Sequence, residues 1–139
     1  MEKKVLGGKD KVKVAVVQTP PVFLDKEKTL AKACEKIVEA GNNGAELINF
    51  AETFIPTYPY WGAGWEVGGE DWAIANISLQ ENSVVIPSDD TEILCEAARK
   101  ADAYVVMGLN EMDDRLGSRT ILQLASVHQS RGEDHGQAP

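Results

Sequence analysis

The sequence predicts an α/β protein with a mostly parallel sheet. Short apolar runs at 12–17, 46–50 and 104–109 are typical of buried strands. Between them, apolar residues recur at helical spacing over 26–40 and 89–101. Strands that alternate with helices favour parallel neighbours joined by helical crossovers. The 139 residues, 43% hydrophobic and 26% charged, have the size and balance of one globular domain.

The first predicted strand and helix have clear boundaries. Residues 12–17 read Val-Lys-Val-Ala-Val-Val, and Pro20 and Pro21 follow, where proline cannot continue a ladder. Asp25 is the predicted N-cap, because its side chain can accept from free N–H groups at a helix start. Gly41-Asn-Asn-Gly44 supplies the stop. The predicted inward residues are Leu30, Ala33, Cys34 and Ile37.

The middle of the chain has a different character. Seven of the nine aromatic residues lie from Phe50 to Trp72, among prolines and glycines, so the sequence predicts a long functional loop or short-helix region over 51–72. Ser88 is the predicted N-cap of the second helix. Its predicted inward residues are Ile93, Leu94, Ala97, Ala98 and Ala101.

Charge and composition exclude several classes of function. The net charge of −8 argues against binding to nucleic acid or to an anionic membrane, since both need basic patches. No run of about 18 apolar residues is present, and the N-terminus lacks the apolar core of a signal peptide. The two cysteines form no metal-ligand motif. We therefore expect a cytoplasmic protein without a metal site or cofactor.

Glu52 is the candidate catalytic residue. It follows the second predicted strand by two residues, and sites in parallel sheets lie beyond the carboxyl ends of strands. Walls formed by Phe54, Tyr58, Tyr60 and Trp61 would partly desolvate the carboxylate. Desolvation raises the pKa of a carboxylate and makes it a usable general base near neutral pH. The alternative is an ordinary loop glutamate that caps a helix or pairs with a lysine. Position alone leaves both open.

The residues around Glu52 resemble a known family. The chain reads Gly44-Ala-Glu-Leu-Ile-Asn-Phe-Ala-Glu52-Thr-Phe-Ile-Pro-Thr-Tyr-Pro-Tyr-Trp61, which closely resembles the first signature of the nitrilase branch of the carbon–nitrogen hydrolases. Residues 12–18, 86–88 and 101–111 also resemble nitrilase segments. The resemblance covers about 11–121. It implies the N-terminal portion of the nitrilase α-β-β-α sandwich, incomplete in this chain.

Two residues depart from the family pattern. Ala51 stands where the family usually has proline, and Thr57 where it usually has glycine. Thr57 would be strained if its backbone needed a positive φ. The Tyr-Pro-Tyr-Trp ending at 58–61 favours nitrilases proper over the amidase branches.

The resemblance implies a Glu–Lys–Cys mechanism. A cysteine thiolate attacks the nitrile carbon, and water then releases ammonia and a carboxylic acid. Glu52 matches the glutamate that accepts the cysteine proton and activates water. Tyr58 and Trp61 match walls of the substrate pocket. The implied partner is a small-molecule nitrile, and the family commonly forms homo-oligomers.

The chain offers no candidate for the other two catalytic residues. Cys34 precedes Glu52, Cys95 lies in the second predicted helix, and no lysine follows Lys100. Both cysteines fit small buried side chains better than nucleophiles. The chain as it stands is therefore expected to be inactive. The alternatives are a truncated homologue that binds nitriles or caps a nitrilase oligomer, an amidase-branch hydrolase, and an unrelated α/β binding module.

The last 18 residues are predicted to be read out of frame. Residues 122–139 continue no helix or strand pattern beyond their first few positions. These residues can be encoded by a choice of codons that, when its first nucleotide is removed, gives a different product in the shifted frame. That product is Tyr-Asn-Ser-Leu-Leu-Phe-Ile-Ser-Arg-Glu-Gly-Lys-Ile-Met-Gly-Lys-His, which resembles the nitrilase continuation. The predicted organisation is a flexible N-terminus over 1–10, the hydrolase segment over 11–121 and this tail.

Overall fold

The computed structural model describes residues 8–113, residue 115 and the backbone of 121–128. Residues 1–7 of the predicted flexible N-terminus and 129–139 of the predicted tail lie outside this part. The elements are β1 (Val14–Val16), α1 (Lys26–Asn42), β2 (Leu47–Asn49), a 3-10 turn (Tyr60–Ala63), α2 (Glu70–Glu81), α3 (Asp89–Ala101), β3 (Tyr104–Met112) and β4 (Ile121–His128).

The strands form one four-stranded sheet in the order β1-β2-β3-β4. β1 pairs with β2 and β2 with β3 in parallel, with Ala15, Ile48 and Val105 in register. The α/β class with a mostly parallel sheet is therefore confirmed. β4 pairs with β3 in antiparallel fashion.

β4 differs from the sequence expectation. The residues after 121 showed no strand pattern beyond the first few, yet the structure has a strand through His128. β4 forms because β3 is long: its residues Val105 to Met112 pair with all eight residues of β4. The expected lack of a strand beyond the first few residues of 122–139 is therefore wrong as far as His128. The out-of-frame origin of 122–139 stays a prediction.

α1 forms as the sequence predicts and extends two residues further. Asp25 caps it, because its Oδ1 accepts a hydrogen bond of 3.0 Å from the N–H of Lys28. Asn42 is its last residue, and Gly44 beyond it takes a positive φ of 81° that favours glycine. The residues predicted to face inward are buried or half-buried: Leu30, Ala33, Cys34 and Ile37.

α1 and α3 pack together on one face of the sheet. Gly41 permits the contact, since a Cβ atom there would lie 2.6 Å from the Cβ of Ala101. Leu94, Ala97 and Ala98 are buried as predicted. Ile93 is 45% exposed, so its predicted inward position is wrong. It lies about 100° around the helix from Leu94, outside the buried stripe.

The opposite face of the sheet is open at β1. Successive side chains of a strand point to opposite faces, and Ala15 packs against the core. Val14 and Val16 therefore point to the other side, where they are 51% and 65% exposed. These two valines are exposed apolar surface on that face.

α2 was not predicted. The region over 51–72 was expected to be a long loop or short-helix region, and it includes only the first three residues of α2. Its apolar residues do not form one stripe: Ala75 and Leu79 are buried, whereas Ile74 and Ile77 are exposed. Its acidic first turn, Glu70 and Asp71, suits the positive end of a helix dipole and was the available signal. In the described part of the chain, no helix is both long enough and apolar enough to cross a bilayer.

Candidate active site

Glu52 lies in a loop that follows β2, and the backbone on each side of this loop is hydrogen-bonded to β3. Phe50 donates its N–H to the carbonyl oxygen of Val106 at 2.9 Å, and Ile55 donates to that of Gly108 at 3.2 Å. Neighbouring rungs of a parallel ladder are two positions apart on each strand, but here the two donors are five positions apart. Residues 51–54 are therefore looped out over the sheet. We call this loop the Glu52 arch.

The arch contains a left-handed residue. Thr53 has a φ of 48°, which a β-branched residue rarely adopts. Its hydroxyl donates to the carbonyl oxygen of Glu52 at 2.8 Å and so closes the bend locally. Thr57 has no positive φ, so the strain considered for that departure from the family pattern is absent. The bend that needs an unusual backbone lies at Thr53.

β3 also holds the segment that follows the arch. The N–H of Asn110 donates to the carbonyl oxygen of Ile55 at 2.8 Å. Its side-chain amide donates to the carbonyl oxygen of Thr57 at 2.9 Å, and both residues are buried. The arch is thus fixed at both ends by one strand, which restricts where Glu52 can lie.

A cleft of about 300 Å³ lies against the arch. Among the described residues, Glu52 is the one carboxylate in the lining of this cleft, which also includes the aromatic rings of Phe23, Tyr58 and Tyr60. We call it the Glu52 cleft. Its lining is Thr19, Pro20, Pro21, Phe23, Ala51, Glu52, Thr53, Phe54, Thr57, Tyr58 and Tyr60.

The predicted aromatic walls divide into two groups. Tyr58 and Tyr60 line the cleft, with ring centroids 5.2 Å apart, and both rings are exposed. Phe54 touches the cleft but is only 2% exposed, because its ring packs on Phe50 at 5.1 Å. Tyr58, the predicted substrate-binding residue, therefore lies in the lining of the cleft.

Trp61 lies behind the cleft. It is 3% exposed and packs with Ala75 and Leu79 of α2. Its ring meets the ring of Phe23 edge-on at 6.0 Å, and Phe23 lines the cleft. Trp61 therefore does not line the cleft itself. Its predicted effect on a substrate would be indirect, through the ring of Phe23.

The carboxylate of Glu52 is exposed, so its expected desolvation is wrong for this chain. The reason is geometric: Tyr58 and Tyr60 stand at an open rim, whereas Phe54 and Trp61 turn into the core. Within the residues described, Glu52 forms no ion pair, so no lysine neutralises it. It is available to a small molecule in the cleft.

The cysteines lie away from the Glu52 cleft. Cys34 on α1 is half-buried, and its thiol donates to the carbonyl oxygen of Ile93 on α3 at 3.9 Å. Burial raises the pKa of the Cys34 thiol, which disfavours the nucleophilic thiolate. Cys95 lies within α3. Neither lines the cleft, in keeping with the packing roles expected from the sequence.

The sequence interpretation missed the first wall of the cleft. The cleft is lined not only by the arch but also by residues that follow β1: Thr19, Pro20, Pro21 and Phe23. A signal was present, because these residues lie beyond the carboxyl end of a strand parallel to β2. The prolines were interpreted only as a strand terminator.

Comparison with known proteins gives a family match. The sequence profile of the carbon-nitrogen hydrolase family matches residues 13–130, which extends nine residues past 121. An aliphatic nitrilase of Rhodococcus rhodochrous is 44% identical over 105 residues, 74% of this chain and 27% of the relative. A cyanide hydratase of Botryotinia fuckeliana (strain T4) is 38% identical over 103 residues, 74% of this chain and 27% of the relative.

The relatives are longer proteins. This chain spans 27% to 34% of the length of the curated relatives it matches. Among solved structures, an amidase from Nesterenkonia sp. AN1 in complex with acrylamide aligns with a TM-score of 0.45 at 17% identity. That alignment covers 76% of this chain and 35% of the amidase.

Proposed function

Because the chain belongs to the carbon–nitrogen hydrolase family, we propose that Glu52 is the general base of a nitrilase-type hydrolysis. The reaction converts a nitrile and two water molecules into a carboxylic acid and ammonia. Glu52 accepts the proton of a cysteine thiol, whose thiolate attacks the nitrile carbon. It then activates the water that releases the acyl group, and a lysine stabilises the charged intermediates.

One observation carries this proposal: the exposed carboxylate of Glu52 lines a cleft of about 300 Å³, a size that suits a small molecule. The arch holds it beyond the end of β2, the edge at which parallel sheets bind ligands. Phe23 and Tyr58 contribute aromatic surface to the lining of the same cleft. A nitrile with a hydrophobic substituent suits such a lining, because pockets gain affinity from apolar walls and orientation from few polar groups.

The 139-residue chain by itself is proposed to be inactive. No lysine follows Lys100, and Cys34 and Cys95 lie on helices outside the cleft. In hydrolases whose catalytic groups act as a unit, loss of the nucleophile lowers kcat by about 10⁶-fold. A carboxylate alone leaves the chain without the group that bonds to the nitrile carbon.

An ammonia assay tests the proposal on the chain as it stands. The panel is an aliphatic nitrile, an arylacetonitrile, cyanide and the matching amides. We expect no ammonia above the protein-free background. Ammonia release that disappears in Glu52→Gln would show that this chain carries a complete site, contrary to the proposal.

The reading frame after residue 121 decides where the missing residues lie. The test is to sequence the gene and its transcript across codons 115–145. When one nucleotide near codon 122 is removed from that sequence, we expect the new frame to encode the nitrilase-like strand, followed by His-Arg-Lys. That lysine would match the catalytic one. A shifted frame without this strand would overturn the frame proposal, and it would leave the assignment of Glu52 untouched.

Two alternatives make different predictions. A non-catalytic homologue that caps a nitrilase oligomer would co-purify with a longer nitrilase and change its particle size, whereas a separate homo-oligomer would not. An amidase-branch enzyme, once the frame is restored, would release ammonia from amides and not from nitriles. The nitrile-specific result is the one we expect. A cytoplasmic location is part of the same proposal.

A further inference from the structure

We propose that Gly108 is a positioning residue for Glu52, and that any side chain at this place in β3 would lift the Glu52 arch off the sheet. The catalytic meaning of this inference rests on the proposed function of Glu52. The geometric part does not, since it concerns only where the arch lies on β3.

The arch crosses directly over Gly108. A Cβ atom on Gly108 would overlap the carbonyl oxygen of Ala51 and would lie 2.8 Å from both the Cα of Glu52 and the N of Thr53. All three are backbone atoms of the arch. A flexible side chain could swing away from such a contact, but a backbone can yield only if the whole arch moves.

The glycine is not needed for its own backbone conformation. The positive-φ glycines among the described residues are Gly8, Gly44, Gly64 and Gly68, and Gly108 is not one of them. Gly108 lies inside a regular strand, where glycine is otherwise unfavourable. Close approach of another backbone is the remaining reason for glycine in such a place.

The arch cannot relieve the overlap by sliding along the strand. Phe50 is bonded to Val106 on one side of Gly108, and Ile55 is bonded to Gly108 itself on the other. An added methyl group must therefore break or stretch these rungs. Because Glu52 is the residue directly above Gly108, its carboxylate would move relative to Phe23 and Tyr58 in the cleft.

The test is NMR on the 139-residue chain with Gly108→Ala. In the wild type we expect a nuclear Overhauser contact between the Hα atoms of Gly108 and Glu52, assigned with the help of Glu52→Gln. In Gly108→Ala we expect displaced Glu52 carboxyl and Hα resonances. We also expect the amide hydrogen of Ile55 to exchange at least about tenfold faster than in the wild type. The added methyl group crowds the hydrogen bond from Ile55 to Gly108, so this bond opens more often.

Two glycines provide matched controls. Gly41→Ala creates a clash of the same kind against Ala101, between α1 and α3. It is expected to lower the melting temperature and to leave the Glu52 resonances in place. Gly62→Ala adds a methyl group where nothing lies within 4 Å, and is expected to change neither.

Three results would overturn the inference. They are unchanged Glu52 resonances in Gly108→Ala, an equal displacement in Gly41→Ala, and a missing Gly108–Glu52 contact in the wild type. The last measurement needs no change at Gly108, so it holds even if Gly108→Ala does not fold. If these results are as expected but Glu52→Gln keeps full activity in the frame-restored enzyme, the proposed function fails while the role of Gly108 in placing the arch stands.

Discussion

The buried side chain of Asn110 donates a hydrogen bond of 2.9 Å to the carbonyl oxygen of Thr57. Asn110 lies two residues beyond Gly108 on β3, and Thr57 lies three residues beyond the Glu52 arch. One strand thus supports the arch from below at Gly108 and ties down the chain that leaves it. The catalytic candidate is placed by backbone and amide contacts with β3.

Asn110→Ala is expected to destabilise the chain by about 1–3 kcal/mol, because it leaves the buried carbonyl of Thr57 without its donor. Urea unfolding followed by tryptophan fluorescence gives the change. Asn43→Ala is the control: its side chain donates a similar bond to the carbonyl oxygen of Glu39, but at an exposed site. A loss within about 0.5 kcal/mol is expected there. An equal loss of unfolding free energy in both variants would show that the hydrogen bond to Thr57 stabilises the fold no more than the exposed one does.

Asp102→Asn is expected to stabilise the chain by about 0.3–1 kcal/mol. Asp102 follows α3 in a left-handed conformation with a φ of 48°, which asparagine tolerates as well, and it puts a negative charge at the negative end of the helix dipole. Asp89→Asn, the same change in the first turn of α3, is expected to have the opposite sign. Thermal melts of the two variants check this, and equal signs would contradict it.

Asp25 is expected to make stability depend on pH in acid. The hydrogen bond from the Lys28 side chain, with that from the Lys28 N–H, lowers the pKa of the Asp25 carboxyl below its ordinary value of 3.8. A lowered folded-state pKa stabilises the fold at pH values above 3.8, and this contribution is lost as the pH falls through the lowered pKa. Asp25→Asn should therefore show a flatter loss of stability on acidification. Parallel denaturation curves for both proteins between neutral pH and pH 3 would contradict this.

Val16→Lys is expected to slow aggregation of the chain. Val16 is 65% exposed on β1, which lies at one end of the described sheet, and apolar edge strands promote pairing between molecules. A lysine at the edge opposes that pairing. Val67→Lys is the control, since Val67 is 74% exposed but lies in a loop. Light scattering over time should slow for Val16→Lys alone, and an equal effect at Val67 would point to net charge instead.

The sequence predicted those parts of the fold that follow from local pattern. α1 and α3 show apolar residues at helical spacing with recognisable ends, and both lie within two residues of the predicted bounds. β1, β2 and β3 overlap their predicted runs. α2 was missed because its apolar residues face both the core and the solvent, so that no periodic stripe marks it.

The sequence named a candidate site residue, but it did not predict the geometry around that residue. The motif around Glu52 singled out the residue, but its exposure depends on which way each aromatic ring turns. Trp61 turns to α2, a helix absent from the sequence prediction, so its place behind Phe23 could not be foreseen. The role of Gly108 depends on a contact between residues more than fifty positions apart, which local pattern does not encode.

The role of Glu52 as the general base is tested most directly by the rate of ammonia release from a nitrile. The rate is measured for the frame-restored protein and for its Glu52→Gln variant. Glu66→Gln, a second exposed glutamate in the aromatic segment, is the matched control. We expect kcat/KM to fall by about 10²–10⁴-fold in Glu52→Gln, the usual contribution of a general base, and to stay unchanged in Glu66→Gln. Full activity in Glu52→Gln would contradict the assignment of Glu52 as the base.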